Sequence, residues 1–229
     1  MKEKIKTALA PMAGYTDSVF RSICGGFGAD EATSEMISSV ALVHNDAKPA
    51  RLARITKDEP HVFLQIFGHE PDIMARAAEI LLSGSYDGCD YAHSPRGIDI
   101  NMGCPVHKIV SSGDGSALMR DISLAARITS AVKDVCVTHG VPLSVKMRLG
   151  WDDSTINASE FAVAMAESGA DVLTLHCRTR AQMYSPSARR EYCADVRSAL
   201  DGEGFANVSL IGNGDIGSRE DAEEYLKLG

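Results

Sequence analysis

The run Asp99-Ile100-Asn101-Met102-Gly103-Cys104-Pro105 sets one cysteine between a glycine and a proline. It follows an apolar stretch, Gly97 to Ile100, that reads as a short buried strand. Glycine lets the backbone bend closely around a ligand, and proline fixes the chain just past the sulfur. The thiol is thereby held at the mouth of a strand rather than packed beneath it. A buried cysteine is more often a small hydrophobe than a reagent, so this motif alone decides nothing. Lys146 sits inside another apolar run, Leu143-Ser144-Val145-Lys146-Met147. A buried ammonium without a partner is costly. Two readings follow: a salt bridge to an interior carboxylate, or a cation aimed at an electron-rich ligand. His176 and Gln65 also end apolar runs, where each alone would pass as a satisfied core group. Gly212-Asn213-Gly214-Asp215 is either a simple tight turn or a glycine-rich phosphate turn feeding a helix.

The elements that must position these side chains alternate. Strands are expected at Lys6–Ala10, Glu31–Met36, Val62–Phe67, Gly97–Asn101, Leu143–Met147, Val172–His176 and Val208–Gly212. Amphipathic helices are expected between them, at Asp17–Cys24, Ile37–Val43, Pro71–Leu82, Ile122–His139, Ala158–Ser168, Glu191–Leu200 and Ser218–Leu228. Asp121 and Ser218 stand at helix starts as capping residues. Strand–helix alternation with unbroken apolar strands predicts an α/β fold with a parallel sheet buried on both faces. Seven βα units can be counted, which predicts a (β/α)8 TIM barrel truncated after the seventh unit. Its first and seventh strands would have unpaired edges. An open doubly wound sheet would usually carry a G-x-G-x-x-G turn after its first strand, and Pro11-Met12-Ala13-Gly14 is not one. In a barrel, reactive groups project from the C-terminal ends of the strands. Gln65, Asn101, Cys104, Lys146, His176 and Asn213 all fall there.

The 229 residues, 45% of them hydrophobic, suffice for one sizeable core. A net charge of −8 argues against this segment being the main RNA-gripping surface of anything, although a local basic cleft is compatible with it. The six cysteines (24, 89, 104, 136, 177 and 193) form no Cys-x-x-Cys pair and no metal-ligand spacing with histidine. A reduced, cytoplasmic protein without a metal site is the plain reading. No apolar run approaches the roughly 18 residues a membrane span needs. The opening Met1–Ala10, interrupted by Glu3, reads as a first strand rather than a signal peptide.

With these residues in view, the chain resembles the bacterial tRNA-dihydrouridine synthases, from Ala10 to its last residue. The resemblance rests on Ala-Pro-Met-Ala-Gly-Tyr-Thr-Asp (10–17), Gln-Ile-Phe-Gly (65–68), Asn-Met-Gly-Cys-Pro (101–105), Val-Lys-Met-Arg-Leu-Gly-Trp (145–151), Leu-His-Cys-Arg-Thr-Arg (175–180) and Gly-Asn-Gly-Asp-Ile (212–216). Their joint order and spacing make it specific. It implies an FMN at the barrel mouth, with the backbone of Pro11, Met12 and Ala13 along the isoalloxazine. Gln65 and Lys146 would hydrogen-bond the ring, and Lys146 would favour its anionic reduced form. His176 would contact the flavin, while Asn213, Gly214 and Asp215 would hold its ribityl phosphate. The resemblance further implies that NADPH or NADH reduces the flavin, that a hydride passes to C6 of a uracil base, and that Cys104 protonates C5. A thiol of ordinary pKa stays protonated long enough for that role. The implied partner is tRNA, with its uridine unstacked to reach the flavin. Asn101, Arg148, Arg178 and Arg180 are the candidates for the uracil edge or nearby phosphates, against a solvated rim for the arginines.

The chain departs from the family pattern in three places. Cys177 stands where relatives usually carry a glycine, and would either crowd the flavin pocket or point away from it. The segment Ser83–Arg96 looks long and reads as a surface loop near the rim. Relatives continue into an eighth strand and a helical domain that supplies most tRNA contacts. Residues 1–229 are thus expected to be the FMN-binding barrel domain alone, monomeric by default. Two other functions compete: a flavin barrel reducing free pyrimidines, and a truncated, non-catalytic RNA-binding relative.

Overall fold

The computed structural model describes residues 5–86 and 93–229; Cys89 and the middle of the 83–96 loop lie outside them. The chain opens with β1 (Ala8–Leu9), α1 (Ser18–Gly26), β2 (Glu31–Thr33), β3 (Ile37–Ser38), α2 (Ser39–Val43), α3 (Ala47–Leu52), β4 (His61–Phe67) and α4 (Pro71–Ser83). It continues through β5 (Gly97–Asn101), α5 (His107–Val110), a 3-10 helix (Gly115–Arg120), α6 (Ile122–His139) and β6 (Leu143–Arg148). The last elements are α7 (Ala158–Glu167), β7 (Val172–His176), α8 (Tyr192–Gly202), β8 (Ser209–Asn213) and α9 (Arg219–Lys227). The strands among the described residues all pair in parallel, in the order β1-β2-β4-β5-β6-β7-β8, with β3 also paired to β4.

β2 and β3 are two pieces of one strand position. Ser34, between them, donates its amide to Phe63 O (2.9 Å), while its hydroxyl accepts from Gln65 N (3.0 Å). A side chain replaces a backbone group in the ladder, and the strand expected over Glu31–Met36 breaks there. The following helix begins later than the sequence predicts. Ile37 pairs with Ile66 instead, and Ser38 caps α2 by accepting from Ala41 N. Seven strand positions result, as expected. Among the described residues β1 pairs only with β2, and β8 only with β7.

The crossover helices pack in the same order as their strands, α4 on α6, α6 on α7 and α7 on α8. This winding places the helices along one face of the sheet, the arrangement of a barrel wall rather than a doubly wound sheet. Residues facing the helices are fully buried: Leu64, Ile66, Ile98, Ile100, Leu143, Val145, Met147, Leu173 and Leu175. They share one core with Ala77 and Leu81 of α4, Val132 of α6, Phe161 of α7 and Val196 of α8. Each such aliphatic side chain contributes about 1.5–3 kcal/mol by leaving water.

The alternate residues form rows across the opposite, concave face. Gln65 is in register with Asp99, and Asp99 with Ser144. One layer nearer the C-terminal ends, Asn101 aligns with Lys146 and Lys146 with Thr174. The last row runs Arg148, His176, Asn213. The strands are therefore not unbroken apolar runs. The alternation, apolar toward the helices and polar toward the concavity, is complete in β6, while β4, β7 and β8 also turn Phe63, Val172 and Ile211 toward the concavity.

Candidate active site

Asn101 closes β5 and fixes the cysteine loop behind it. Its Oδ1 accepts from the amides of Gly103 (3.2 Å) and Cys104 (2.9 Å). The loop is tied at three further points. Met102 N donates to Lys146 O (2.8 Å), Arg148 Nε donates to Gly103 O (2.7 Å), and Ser116 donates both its amide and its hydroxyl to Cys104 O. Cys104 is half-buried. Burial pushes its thiol pKa up, against a smaller pull downward from the Val106 backbone and Arg148. The thiol is thus a protonated group at neutral pH on a loop with a fixed path.

Below the loop lies a chain of buried polar side chains. Gln65 donates Nε2 to Asp99 Oδ2 (2.7 Å), and its Oε1 accepts from Asn101 Nδ2 (2.8 Å). Gln65 and Asp99 are almost wholly inaccessible. Burial raises the Asp99 pKa, opposed by hydrogen bonds from Ser144 and Gln65 and by the charge of Lys146. Asp99, with Ser144 beside it, was not singled out from the sequence. The signal for it is the alternation in Gly97-Ile98-Asp99-Ile100-Asn101, where a carboxylate stands at a concave-facing position of a buried strand.

Lys146 reaches Asn213 Oδ1 (3.1 Å). Burial lowers its pKa to about 8, with Asp99 opposing that shift and Arg148 adding to it. The interior carboxylate allowed for in the sequence reading thus exists, in Asp99, although no ion pair forms between the two. His176 is pushed down to about 3, first by burial and then by Arg148, Lys146 and Arg178. Arg178 Nη1 approaches His176 Nε2 at 3.3 Å. A guanidinium only donates, so Nε2 accepts and the neutral ring carries its proton on Nδ1.

The turn after β8 is built for close approach. Gly214 has φ +123°, and a Cβ there would lie 2.9 Å from Ala188 Cβ and 3.2 Å from His176 Cδ2. The carboxylate of Asp215 takes two hydrogen bonds from Arg178 Nη2 (2.8 and 2.7 Å) and one from Ala188 N (2.8 Å). Arg178 first, then Ala188, holds that carboxyl below its ordinary range. What Asp215 offers to a ligand is therefore its backbone. At the first strand position Pro11, Met12 and Ala13 form a partly exposed turn, closed by Tyr15 and Thr16 donating their amides to Met12 O.

The concave face brings together Gln65, Asn101, Lys146, Arg148, His176 and Asn213. Three of the four residues expected at a substrate are already engaged inside the chain. Asn101 uses both amide hydrogens, toward Gln65 Oε1 and Met36 Sδ, and both Oδ1 positions. Arg148 donates to the carbonyls of Gly103, Thr179 and Met183. Arg178 donates to Pro186 O as well as to Asp215. Arg180 differs. It lies over one side of the Trp151 ring system (4.7 Å), with Arg120 at 4.9 Å from the same ring. Met36 and Thr174, which also border this face, carried no signal in the sequence beyond their place in the alternation. A cavity of about 500 Å3 at the other end of β4, lined by Gly25, Thr56, His61 and Arg96, contains none of these residues.

A family model described as dihydrouridine synthase (Dus) matches residues 8–229. The chain belongs to the dihydrouridine synthase family. It is 36% identical over 220 residues to "Probable tRNA-dihydrouridine synthase" of Treponema pallidum, covering 95% of this chain and 62% of that protein. It is 39% identical over 221 residues to the protein of the same name in Rickettsia prowazekii, covering 96% and 62%. It is 36% identical over 222 residues to "tRNA-dihydrouridine synthase B" of Pseudomonas aeruginosa, covering 96% and 60%. The chain thus spans about three-fifths of the length of these curated relatives. Among solved structures it resembles the HMG-CoA lyase from Brucella melitensis, with TM-score 0.61 and 12% identity over 99% of this chain and 79% of that one. That likeness concerns the fold alone.

For this member of the synthase family the departure at Cys177 is now placed. Its side chain is fully buried and meets Cys193 of α8, Sγ to Sγ 3.5 Å. It points away from the concave face and does not crowd the site. The five described cysteines are all free thiols. Among the described residues no helix is long and apolar enough to cross a membrane, and no metal-binding cluster of His, Cys, Asp or Glu occurs.

Proposed function

We propose that residues 1–229 form the catalytic barrel of a tRNA-dihydrouridine synthase, a cytoplasmic enzyme that reduces the C5–C6 bond of a uridine in tRNA. Family membership supports the reaction class. The single observation that carries the role of this chain is Cys104, a half-exposed thiol that burial keeps protonated, on a loop clamped from both ends. Cys104 donates the proton to C5 of the base, and the Asn101 and Arg148 contacts keep the sulfur in place while it does so.

The donor set fits FMN. Lys146 is a cation whose one side-chain acceptor here is the neutral Asn213, Gln65 keeps one N–H beyond those its neighbours use, and Gly214 brings bare backbone beside His176. Gln65 and Lys146 would hold the ring system, His176 and the Pro11–Ala13 backbone would border it, and Asn213, Gly214 and the Asp215 backbone would take the phosphate end. When bound, FMN supplies the hydride, with NADPH or NADH as the source of electrons. Neutral His176 adds no further positive charge beside Lys146. Arg180, at the rim on Trp151, is left to meet the RNA.

The test is Cys104→Ala in the flavin-loaded protein. Reduction of the flavin by NADPH should stay within about twofold of wild type, while dihydrouridine in tRNA falls by at least about a hundredfold, the range that loss of a general acid produces. Equal dihydrouridine yield from the variant would remove Cys104 from the chemistry. Turnover of free uracil without tRNA would replace the substrate.

A further inference from the structure

The hydrogen-bond chain beneath the cysteine loop begins at a residue to which the proposed reaction gives no role. We infer that Asp99 is the positioning residue of this site, setting the orientation of the Gln65 and Asn101 amides and through them the path of the Cys104 loop. The reading of Cys104 as the acid rests on the function proposed above; the relay itself does not.

A side-chain amide can be turned end for end at little intrinsic cost, exchanging its donor for its acceptor. Gln65 and Asn101 stand in series, so one orientation must be imposed from outside the pair. Asp99 imposes it. Asp99 Oδ2 is the acceptor at this end of the chain, so the Gln65 end that meets it at 2.7 Å is the NH2. Gln65 Oε1 then faces Asn101, and the partner at 2.8 Å must be Asn101 Nδ2. That leaves Asn101 Oδ1 pointing at the loop, where it receives the amides of Gly103 and Cys104. Reversing Asn101 would set N–H against N–H at the loop, and reversing Gln65 would set N–H against N–H between the two amides and oxygen against oxygen at Asp99. All three side chains are buried, at 2% exposure or less for Asp99 and Gln65 and 8% for Asn101, so water cannot repair a reversed link. Ser144 hydrogen-bonds the same carboxylate from the neighbouring strand and fixes its rotamer.

Amide hydrogen exchange of the protein reads this directly, because Gly103 and Cys104 owe their protection to Asn101 Oδ1. In Asp99→Leu both amides should exchange on the order of tenfold faster, the factor that loss of one net hydrogen bond corresponds to, while α4 and α6 keep wild-type rates. In Asp99→Asn the carboxamide oxygen still accepts from Gln65 and its NH2 can donate to the Ser144 hydroxyl, so protection at Gly103 and Cys104 should return to within about twofold of wild type. Unchanged exchange at the two amides in Asp99→Leu would overturn the inference. So would equal loss in the Asn and Leu variants, which would make the charge on Lys146, rather than the relay, the role of Asp99. Should Asp99→Leu not fold, Gln65→Met breaks the same relay one link later and must expose the same two amides; unaltered protection there refutes it equally. A wild-type protein that forms no dihydrouridine would defeat the proposed function and leave these exchange rates as they are.

Discussion

His176 shares the concave face with Lys146, Arg148 and Arg178, and burial together with those cations lowers its pKa to about 3. In the unfolded chain the same imidazole titrates near 6.5. Between those values the unfolded state takes up a proton that the folded state refuses. Stability therefore falls as pH drops from about 6.5 toward 3, and this group has no effect above that window. His176→Asn should remove the contribution. Urea unfolding of wild type and variant at pH 7.5 and 4.5 checks it. The variant should lose less stability on acidification, by up to about 1.4 kcal/mol per pH unit across the window. An identical acid loss in both proteins would mean that His176 is protonated in the fold. The same residue shows how much of the site the sequence carried: a histidine at a strand end was legible, but its charge state was not. That state depends on burial and on three cations, two from the neighbouring strand β6 and one from the segment after β7, which only the register brings within reach.

Among the elements, α1 owes its seat to one buried ion pair. Arg21 lies on its inner face, 1% exposed, and pairs with Glu59 in the turn before β4. Arg21 also donates to Thr16 O and Arg54 O, and Glu59 accepts from Thr56 N. Removing the carboxylate alone strands a guanidinium away from water. Glu59→Leu should therefore cost about 3–5 kcal/mol, and adding Arg21→Met to it should recover part of that loss. Chemical denaturation of the two variants decides the matter; a double variant no better than the single one would show that the pair is not the element's anchor. Elements of this length were legible where a period or a cap marks them. β5, α6 and β7 match their expected bounds, Asp121 accepts from Leu124 N as a cap, and Gly140 at φ +66° ends α6. α3, α5 and the 3-10 helix were not foreseen, because each is too short to show a period. The 3-10 helix is held by distant contacts such as Ser116 on Cys104 O. The alternation within Leu143–Arg148 and Val172–His176 was present in the sequence but was read as continuous apolarity. Parity acquires its meaning only once the helices all lie on one face, and Asp99 went unread for that reason.

At the scale of the whole molecule, the proposed function sets a net charge of −8 against a polyanionic substrate. Thirty-one acidic side chains against twenty-three basic ones repel RNA at long range, so any attraction in this segment is local to the rim. Arg148 and Arg178 are buried and bonded to carbonyls or to Asp215, so their charge is turned inward. Arg120 and Arg180 flank Trp151, one at the end of the 3-10 helix that follows the cysteine loop and one just after β7. An arginine seated over an indole gives up little side-chain freedom when its outer edge meets a phosphate. Binding of tRNA to this chain should accordingly be weak, with a shallow salt dependence because few ions are released. Arg120→Gln and Arg180→Gln should each flatten the slope of log affinity against log salt by about one, and the pair together by about two. Titrations from low to moderate salt measure that slope. A slope indifferent to both substitutions would shift RNA contact away from the Trp151 rim and leave the loop and the concave face as the whole of what this chain contributes.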